Sequence, residues 1–508
     1  MTWIWIILVI LVLVLVYDLC QKKHAILRNF PIVGHFRYIL EAIGPELRQY
    51  IVTDNDEERP FSRDQRRWVY ATSKKQNDYF GFGTDNDLEQ TPNYIFIKHS
   101  PFPLNRPASS PDYPIPCAKV LGQHRGRKNA FRMPSVVNVS AMSFGSLSSA
   151  AVEAINRGCA LTGALHNTGE GGVSKHHLHG ADLIWQIGTG YFGCRNGEGG
   201  FDLSAFRDMV QKHPQIRAIE IKLSQGAKAG LGGIVPAQKV TPEIAAIRGV
   251  EPGKACLSPP SHSAFSDADS LLDFAELLAE TSGLPVGIKS AVGQMEFWEQ
   301  LAIEMATGSR GLDFVTIDGG EGGTGAAPLV FSDHVALPFK QAFSRVFLKF
   351  DEQHLTDKLV FLGSGKLGFP ETAMTAFALG CDGISVGREA MLAIGCIQAQ
   401  RCHTGHCPAG VATQNAWLMR GLEPTQKSAR LANYVRVLRK EILRVCHASG
   451  VPHPALMDSK HVELSDGQLG LRTLDSIYGY PEGLRQCSPE WSSSIQQLMG
   501  ETFPTTGN

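Results

Sequence analysis

The sequence has no surplus of either charge: 48 Lys and Arg stand against 49 Asp and Glu, a formal net charge of −1. That speaks against nucleic acid as a partner, because phosphate binding needs a basic surplus somewhere. It also lacks an even set of cysteines: the 11 present are scattered, apart from one trio, and do not form a disulfide framework. Reduced thiols and a cytosolic setting for the main domain follow. Charged residues are only 19% and apolar residues 43%, which excludes wholesale disorder.

What is present begins with length. The 508 residues exceed the ~250–300 at which one core stops growing, so a large domain with appended segments is expected. The 52 glycines imply many tight turns or backbone approaching a ligand. At the N-terminus, "WIWIILVILVLVLVY" runs from Trp3 to Tyr17 without a charge. That is shorter than the about 17–25 residues of a usual spanning helix. No Lys or Arg precedes it, and Leu19 stands before Cys20 where a lipoprotein signal wants a small residue. The reading is an uncleaved, single-pass membrane anchor over 1–20. Lys22, Lys23 and Arg28 follow it, which keeps the catalytic bulk on the cytoplasmic side.

Residues 21–114 are mixed and charged, with a short strand pattern in "TPNYIFIKHS", and are expected to pack on the main domain. From residue 135, eight Val- and Ile-rich runs recur: "VVNVSAM", "GALHNTG", "LIWQIG", "AIEIKL", "PVGIKSA", "FVTIDG", "LVFLGSG" and "GISVGR". Helical patterns such as "SSAAVEAINRGCAL" and "SLLDFAELLAETSG" lie between several of them. Buried parallel strands read as continuous apolar runs, and eight strand–helix units predict an α/β fold, a (β/α)8 TIM barrel, over an open doubly wound sheet. The connection 224–284 is too long for one helix and must hold an excursion. "SARLANYVRVLRKEILRVCHASG" opens a C-terminal helical extension, 426–508, whose last twenty residues are polar and expected to fray.

The strand-end loops carry the unusual residues. In "SAMSFGS", Ala141, Met142, Ser143 and Gly145 would let a flat ring lie on the backbone; a plain tight turn is the alternative. Glu170, among glycines in "HNTGEGGVSKHH", is a candidate proton handler, or else a surface acid on a flexible turn. Lys222, Lys228 and Lys239 bracket the loop "SQGAKAGLGGIVPAQ". Over a barrel mouth they suit an anion with two carboxylates, or they are simply solvated. Gly320-x-Gly322-x-x-Gly325 matches a dinucleotide fingerprint, but Pro328 follows with no helical pattern, so a glycine-lined barrel loop is the reading. Gly363, Ser364 and Gly365 end the seventh candidate strand, and Gly387 and Arg388 the eighth, where barrels often bind phosphate. Last, "GCIQAQRCHTGHCPAGVATQ" spaces Cys396, Cys402 and Cys407 as C-x5-C-x4-C. Zinc would have to recruit His403 or His406. Three thiolates suit a cluster of three irons. Unrelated buried thiols are the third reading.

Taken in order, "SAMSFGS", "NTGEGG", "QGAKAGLGG", "SPPSH", "GGEGGTGAAP" and the cysteine block resemble the FMN-binding synthase domain of glutamate synthase, over residues 115–425. The resemblance implies a TIM barrel binding FMN, with the trio holding a 3Fe-4S cluster beside it. It implies an oxidoreductase acting on CH-NH2 donors, in which 2-oxoglutarate and ammonia give 2-iminoglutarate and reduced FMN delivers hydride to it. Carried onto this chain, Glu170 and Lys222 are catalytic, and Gln225, Lys228 and Lys239 bind substrate. Asn167 joins the 141–145 turn at the flavin, with Lys289 near its pyrimidine ring. Asp318, Gly319, Gly320, Gly323 and Thr324 line it, and the 363–365 and 387–388 loops hold its phosphate. The family's glutaminase and β-helix domains, and a nicotinamide fingerprint, are not matched here. Electron-donor and glutaminase subunits are therefore expected as partners, with the membrane reached through the N-terminal helix. The alternatives are a relative using another amine, as in N-methylglutamate formation, and a flavin electron-transfer subunit.

Overall fold

The computed structural model describes residues 2–76, 79, 81–104, 112–484 and 488–502. The chain divides into two compact units, 1–68 and 69–508. In the first, helix Thr2–Cys20 is long and apolar enough to cross a membrane. Short helix Ala25–Asn29 and helix Gly34–Leu47 follow it.

The second unit is built on a closed barrel of eight parallel strands. These are β1 Val137–Val139, β2 His166–Asn167, β3 Leu183–Ile187 and β4 Ile216–Lys222. β5 Val286–Ser290, β6 Phe314–Asp318, β7 Val360–Ser364 and β8 Gly383–Val386 complete it. Seven lie inside a run singled out from the sequence, and β4 begins two residues before its run "AIEIKL". β8 pairs with β1 through Ile384 and Val137, so no edge is left open. Most strand residues are buried, because side chains fill the interior and helices cover the outside. Beneath the barrel, a hairpin places Cys117, Leu121, Phe131 and Met133 against Leu165, Ile184, Phe314 and Val360, closing the end opposite the site.

The outer helices are α1 Ser149–Ala160, α2 Leu203–Lys212, α3 Ala268–Ser282 and α4 Glu296–Thr307. α5 Phe339–Asp351, α6 Pro370–Leu379 and α7 Arg388–Ile394 follow. α8, Pro424–Ala448, packs along α1 and touches α6 and α7. The predicted excursion after β4 holds a small antiparallel pair, Ile234–Val235 with Cys256–Leu257, and helix Pro242–Arg248. β2 and β3 are joined without an α-helix, through a 3-10 turn at Lys175–His177.

The C-terminal extension is helical as expected and also carries strands: Val462–Ser465 pairs antiparallel with Ile95–Ile97 on one side and Leu471–Thr473 on the other. One expectation about it changes. The tail does not fray over its described part. Residues Pro489–Thr502 form a helix that buries Ile495 and Met499, one turn apart, with Ile495 packed against Ala118 and Ala455. Residues 503–508 lie outside the described residues.

One close helix contact is at Gly158 of α1, where a Cβ would lie 2.8 Å from Leu431 Cβ of α8. A branched side chain there has to push the two helices apart. Gly158→Val is expected to destabilise the protein by about 1–3 kcal/mol, read as a lower urea midpoint. An unchanged midpoint would show that this contact yields without cost.

Candidate active site

The C-terminal ends of the eight strands bring the sequence-predicted residues to one rim. The 141–145 turn follows β1, Asn167 ends β2, and Glu170 stands just beyond it. Lys222 ends β4 opposite Lys289 of β5 in the strand register. Asp318 ends β6 opposite Ser364 of β7, and Gly387 and Arg388 follow β8. Gly319, Gly320, Gly323 and Thr324 sit in an irregular loop, followed by helix Leu329–His334, so the glycines do not open a helix.

Lys222 is the centre of the polar cluster. Its Nζ donates to Glu170 Oε1 and to Gln225 Oε1, each at 2.7 Å. Glu170 is no loose surface acid; its side chain is 15% exposed and fits between Gly188 and Gly233. A Cβ on either glycine would lie 2.7 Å from its carboxylate. Burial pushes the Glu170 carboxyl up, but the charges of Lys222 and Lys228, the Lys222 hydrogen bond and Arg248 outweigh it, and the group is held below the usual range. Lys228 is 5% exposed. Burial first, then repulsion from Lys222, pulls its ammonium down to about 8.

Three neighbours in this cluster were not singled out from the sequence. Arg248, from the excursion, is buried and donates to Phe144 O at 3.0 Å and Ser143 Oγ at 3.3 Å, linking the 141–145 turn to the lysines. His262 bonds the Lys222 carbonyl through Nε2 at 2.9 Å and the Tyr191 hydroxyl through Nδ1 at 3.1 Å. Burial pulls its imidazole down to about 4, so it is neutral, and the carbonyl fixes the proton on Nε2. Glu220 lies two residues before Lys222 on β4, fully buried below it. It accepts hydrogen bonds from Asn167 Nδ2 at 2.7 Å, Gln186 Nε2 at 2.6 Å and Thr316 Oγ1 at 2.8 Å. A charge inside "AIEIKL" was its only sequence signal.

On the far side of the mouth, Asp318 accepts from Gly226 N at 2.9 Å and from the Ser364 hydroxyl. Lys289 is 6% exposed, yet among the described residues it has no partner nearer than Ser140 Oγ at 3.5 Å and Asp318 Oδ2 at 3.6 Å. Gly387 is not crowded: an added Cβ would meet only Ser140 Cβ, at the ordinary contact distance of 3.6 Å. Gly365, with φ +126°, instead answers a close approach, since its Cβ would stand 3.2 Å from Gly319 Cα.

Lys239 goes elsewhere. Its ammonium donates to Cys402 O at 2.8 Å and Ser146 O at 3.3 Å, so it ties the cysteine loop to the β1 turn. In that loop Gln398 N donates to Cys396 Sγ at 3.4 Å, and Tyr70 holds the Cys396 carbonyl at 2.8 Å. The thiols feel one another: burial, then the charges of Cys402 and Cys407, push Cys396 up to about 12 against the Gln398 hydrogen bond. Among the described residues no three His, Cys, Asp or Glu converge on one ion position, and His403 and His406 are exposed.

Comparison with known proteins adds the following. The family described as "Conserved region in glutamate synthase" matches residues 117–452. A Bacillus subtilis (strain 168) glutamate synthase large subunit-like protein, YerD, is 39% identical over 482 residues, covering 88% of this chain and 91% of its own length. The archaeal NADPH glutamate synthase of Methanocaldococcus jannaschii is 33% identical over 321 residues, 63% of this chain and 60% of that protein. This chain thus spans less than two thirds of the archaeal relative. A solved flavocytochrome b2 variant with benzoylformate aligns at TM-score 0.45 with 14% identity, over 82% of this chain and 84% of its own.

Lys222 is the strongest influence holding Glu170 ionised, while burial alone works the other way. Lys222→Met is therefore expected to raise the Glu170 carboxyl, which will protonate at a higher pH than in the parent. The infrared carboxyl band, assigned by its loss in Glu170→Gln, reads this. No upward movement would show that Lys228 and Arg248 suffice.

Proposed function

This chain belongs to the glutamate synthase family, and from that premise we propose that it is an FMN-dependent oxidoreductase that makes glutamate from 2-oxoglutarate and ammonia. One observation carries the reading: Lys222, Lys228 and Arg248 act on one carboxylate, Glu170, in a buried cluster at the barrel mouth. Three cations gathered round the one carboxylate they act on leave positive charge at the mouth, which suits an anionic guest such as a dicarboxylate.

The residues present fit a flavin. A buried Lys289 ammonium without a short partner suits a ring that gains negative charge on reduction. The Gly363–Gly365 and Gly387 turns, at the ends of the neighbouring strands β7 and β8, suit its phosphate. The 141–143 backbone and Asn167 would support the ring, with Asn167 kept in place by Glu220. FMN, when bound and reduced, supplies hydride to the imine carbon of 2-iminoglutarate.

The chain's own groups prepare that imine. Lys222, Gln225 and Lys228 bind and orient the carboxylates of 2-oxoglutarate. Glu170, ionised beforehand by its cationic neighbours, takes a proton from the incoming ammonium and returns it as water leaves. Neutral His262 holds the Lys222 backbone through its carbonyl and so steadies the ammonium above it.

Cys396, Cys402 and Cys407 also fit a 3Fe-4S cluster. Each of Cys396 and Cys402 feels the charge of Cys407, so the three thiols lie near one another. Burial raises both thiols, and a backbone donor on Cys396 Sγ and the charge of Lys239 near Cys402 partly offset this toward thiolate ligands. Such a cluster would supply one-electron transfer.

Two experiments test the proposal. In the first, the flavin is photoreduced without oxygen and mixed with 2-oxoglutarate plus ammonia, methylamine or glutamine. Reoxidation with ammonia is expected, and Glu170→Gln should slow it about 10²–10⁴-fold with flavin retained. Reoxidation by methylamine alone would make N-alkylglutamate the product, and none at all would leave an electron-transfer subunit. The second measures iron and acid-labile sulfide in anaerobically purified protein. We expect about three irons per chain from the cluster type, lost in Cys402→Ser while flavin stays. Protein without sulfide would reject the cluster.

A further inference from the structure

Within the N-terminal unit one helix carries an exposed apolar face. In helix Gly34–Leu47 and the π-helical turn Arg48–Val52 that continues it, Phe36, Ile39, Leu40, Ile43, Leu47 and Tyr50 are all exposed. Their spacing of i, i+3, i+4, i+7, i+11 and i+14 puts them in one stripe along the helix. Phe36 is 62% exposed and Ile43 43%, where a helix of a water-soluble domain would turn such a stripe inward. The opposite side is polar, with Arg37 paired to Glu41 at 2.8 Å.

The stripe is also held close to the membrane-length helix. Asp18, in the last turn of Thr2–Cys20, is fully buried, and its carboxylate accepts from Ile32 N at 2.9 Å and His35 Nε2 at 3.0 Å. Gly34 allows the second helix to start against Leu27, since a Cβ there would lie 3.1 Å from Leu27 Cδ2. The His24 and Tyr38 rings meet edge to face at 5.6 Å. The corner between the helices exposes Lys22, Lys23 and Arg28, the charges that anionic headgroups attract.

We propose that residues 34–52 lie along the membrane surface, with the Phe36–Tyr50 stripe in the boundary between headgroups and acyl chains, latched by Asp18 to the end of the anchor. The inference rests on Thr2–Cys20 crossing the bilayer. A chain emerging from hydrocarbon at Asp18 meets the interface within the next few residues, and a helix with one apolar and one charged side is stable there lying flat. The Asp18 hydrogen bonds also give the apolar helix a folded role, because removal of that helix would leave Ile32 N and His35 without their partner.

The test uses the full chain in phosphatidylethanolamine–phosphatidylglycerol vesicles with brominated acyl chains, which quench tryptophan at lipid depth. Trp3 and Trp5 of the parent report the anchor, and Ile43→Trp and Glu41→Trp each add one reporter to an exposed position. The emission added by Ile43→Trp should be largely lost to bromine, and that added by Glu41→Trp retained. If the parent is quenched but Ile43→Trp adds unquenched emission, the stripe faces water, the barrel or a second copy, and the proposal falls. If the chain neither binds the vesicles nor is quenched, the anchor and the surface helix fall together, leaving the enzymatic reading untouched.

Discussion

Glu220 accepts hydrogen bonds from Asn167, Gln186 and Thr316, and one buried carboxylate thereby joins side chains from β2, β3, β4 and β6 beneath the site. A carboxylate in an apolar interior is tolerated only when its oxygens are satisfied. Four strands must therefore keep the register that presents those donors. The same register sets Lys222 opposite Lys289 and Asp318 opposite Ser364 one layer higher. The rim is an outcome of how the interior is satisfied.

Above that floor, the site works by unequal charge. Lys222, Lys228 and Arg248 are all buried, and one carboxylate is not enough to balance them. The imbalance opposes folding and favours an anionic guest, the usual way a binding site stores part of its affinity. Glu170 is kept ionised chiefly by Lys222 and Lys228, so in the proposed reaction one arrangement would serve both anion binding and proton transfer. The cysteine loop is tied to this region through Lys239, which bonds both Cys402 and the β1 turn. Gln398 and Gln400 adopt left-handed backbone at φ +57° and +54°, a conformation that non-glycine residues take at some cost. The loop holds that shape between two of the three thiols.

Much of the barrel was legible because buried parallel strands are written as unbroken apolar runs, and each of the eight runs became a strand. α4 and α5 were legible in principle: Trp298, Leu301, Ala302 and Met305 keep the helical period, but no cap marks the start of α4. The antiparallel sheet was not, because Ile95 pairs with Leu464 and nothing local announces a partner that far along the chain. In the site, Glu170 and the lysines stood out by residue type and by position after a strand. Arg248 and His262 did not: Arg248 lies in an ordinary helical stretch, and His262 ends the quoted block "SPPSH", whose residues carried no role of their own.

The sequence by itself determined where strands begin and end, which loops lack side chains, the spacing of the three cysteines, and an apolar N-terminal run with basic residues after it. Those are local properties, written in periodicity and composition. Only the tertiary structure decided that Lys228 faces Glu170 while Lys239 faces Cys402, although both lie in the same glycine-rich stretch. It also decided that Asp18 closes on His35. Local patterns say that a side chain is buried or exposed, but not which neighbour it meets. That choice belongs to barrel closure and helix packing, which bring together groups that the chain keeps far apart.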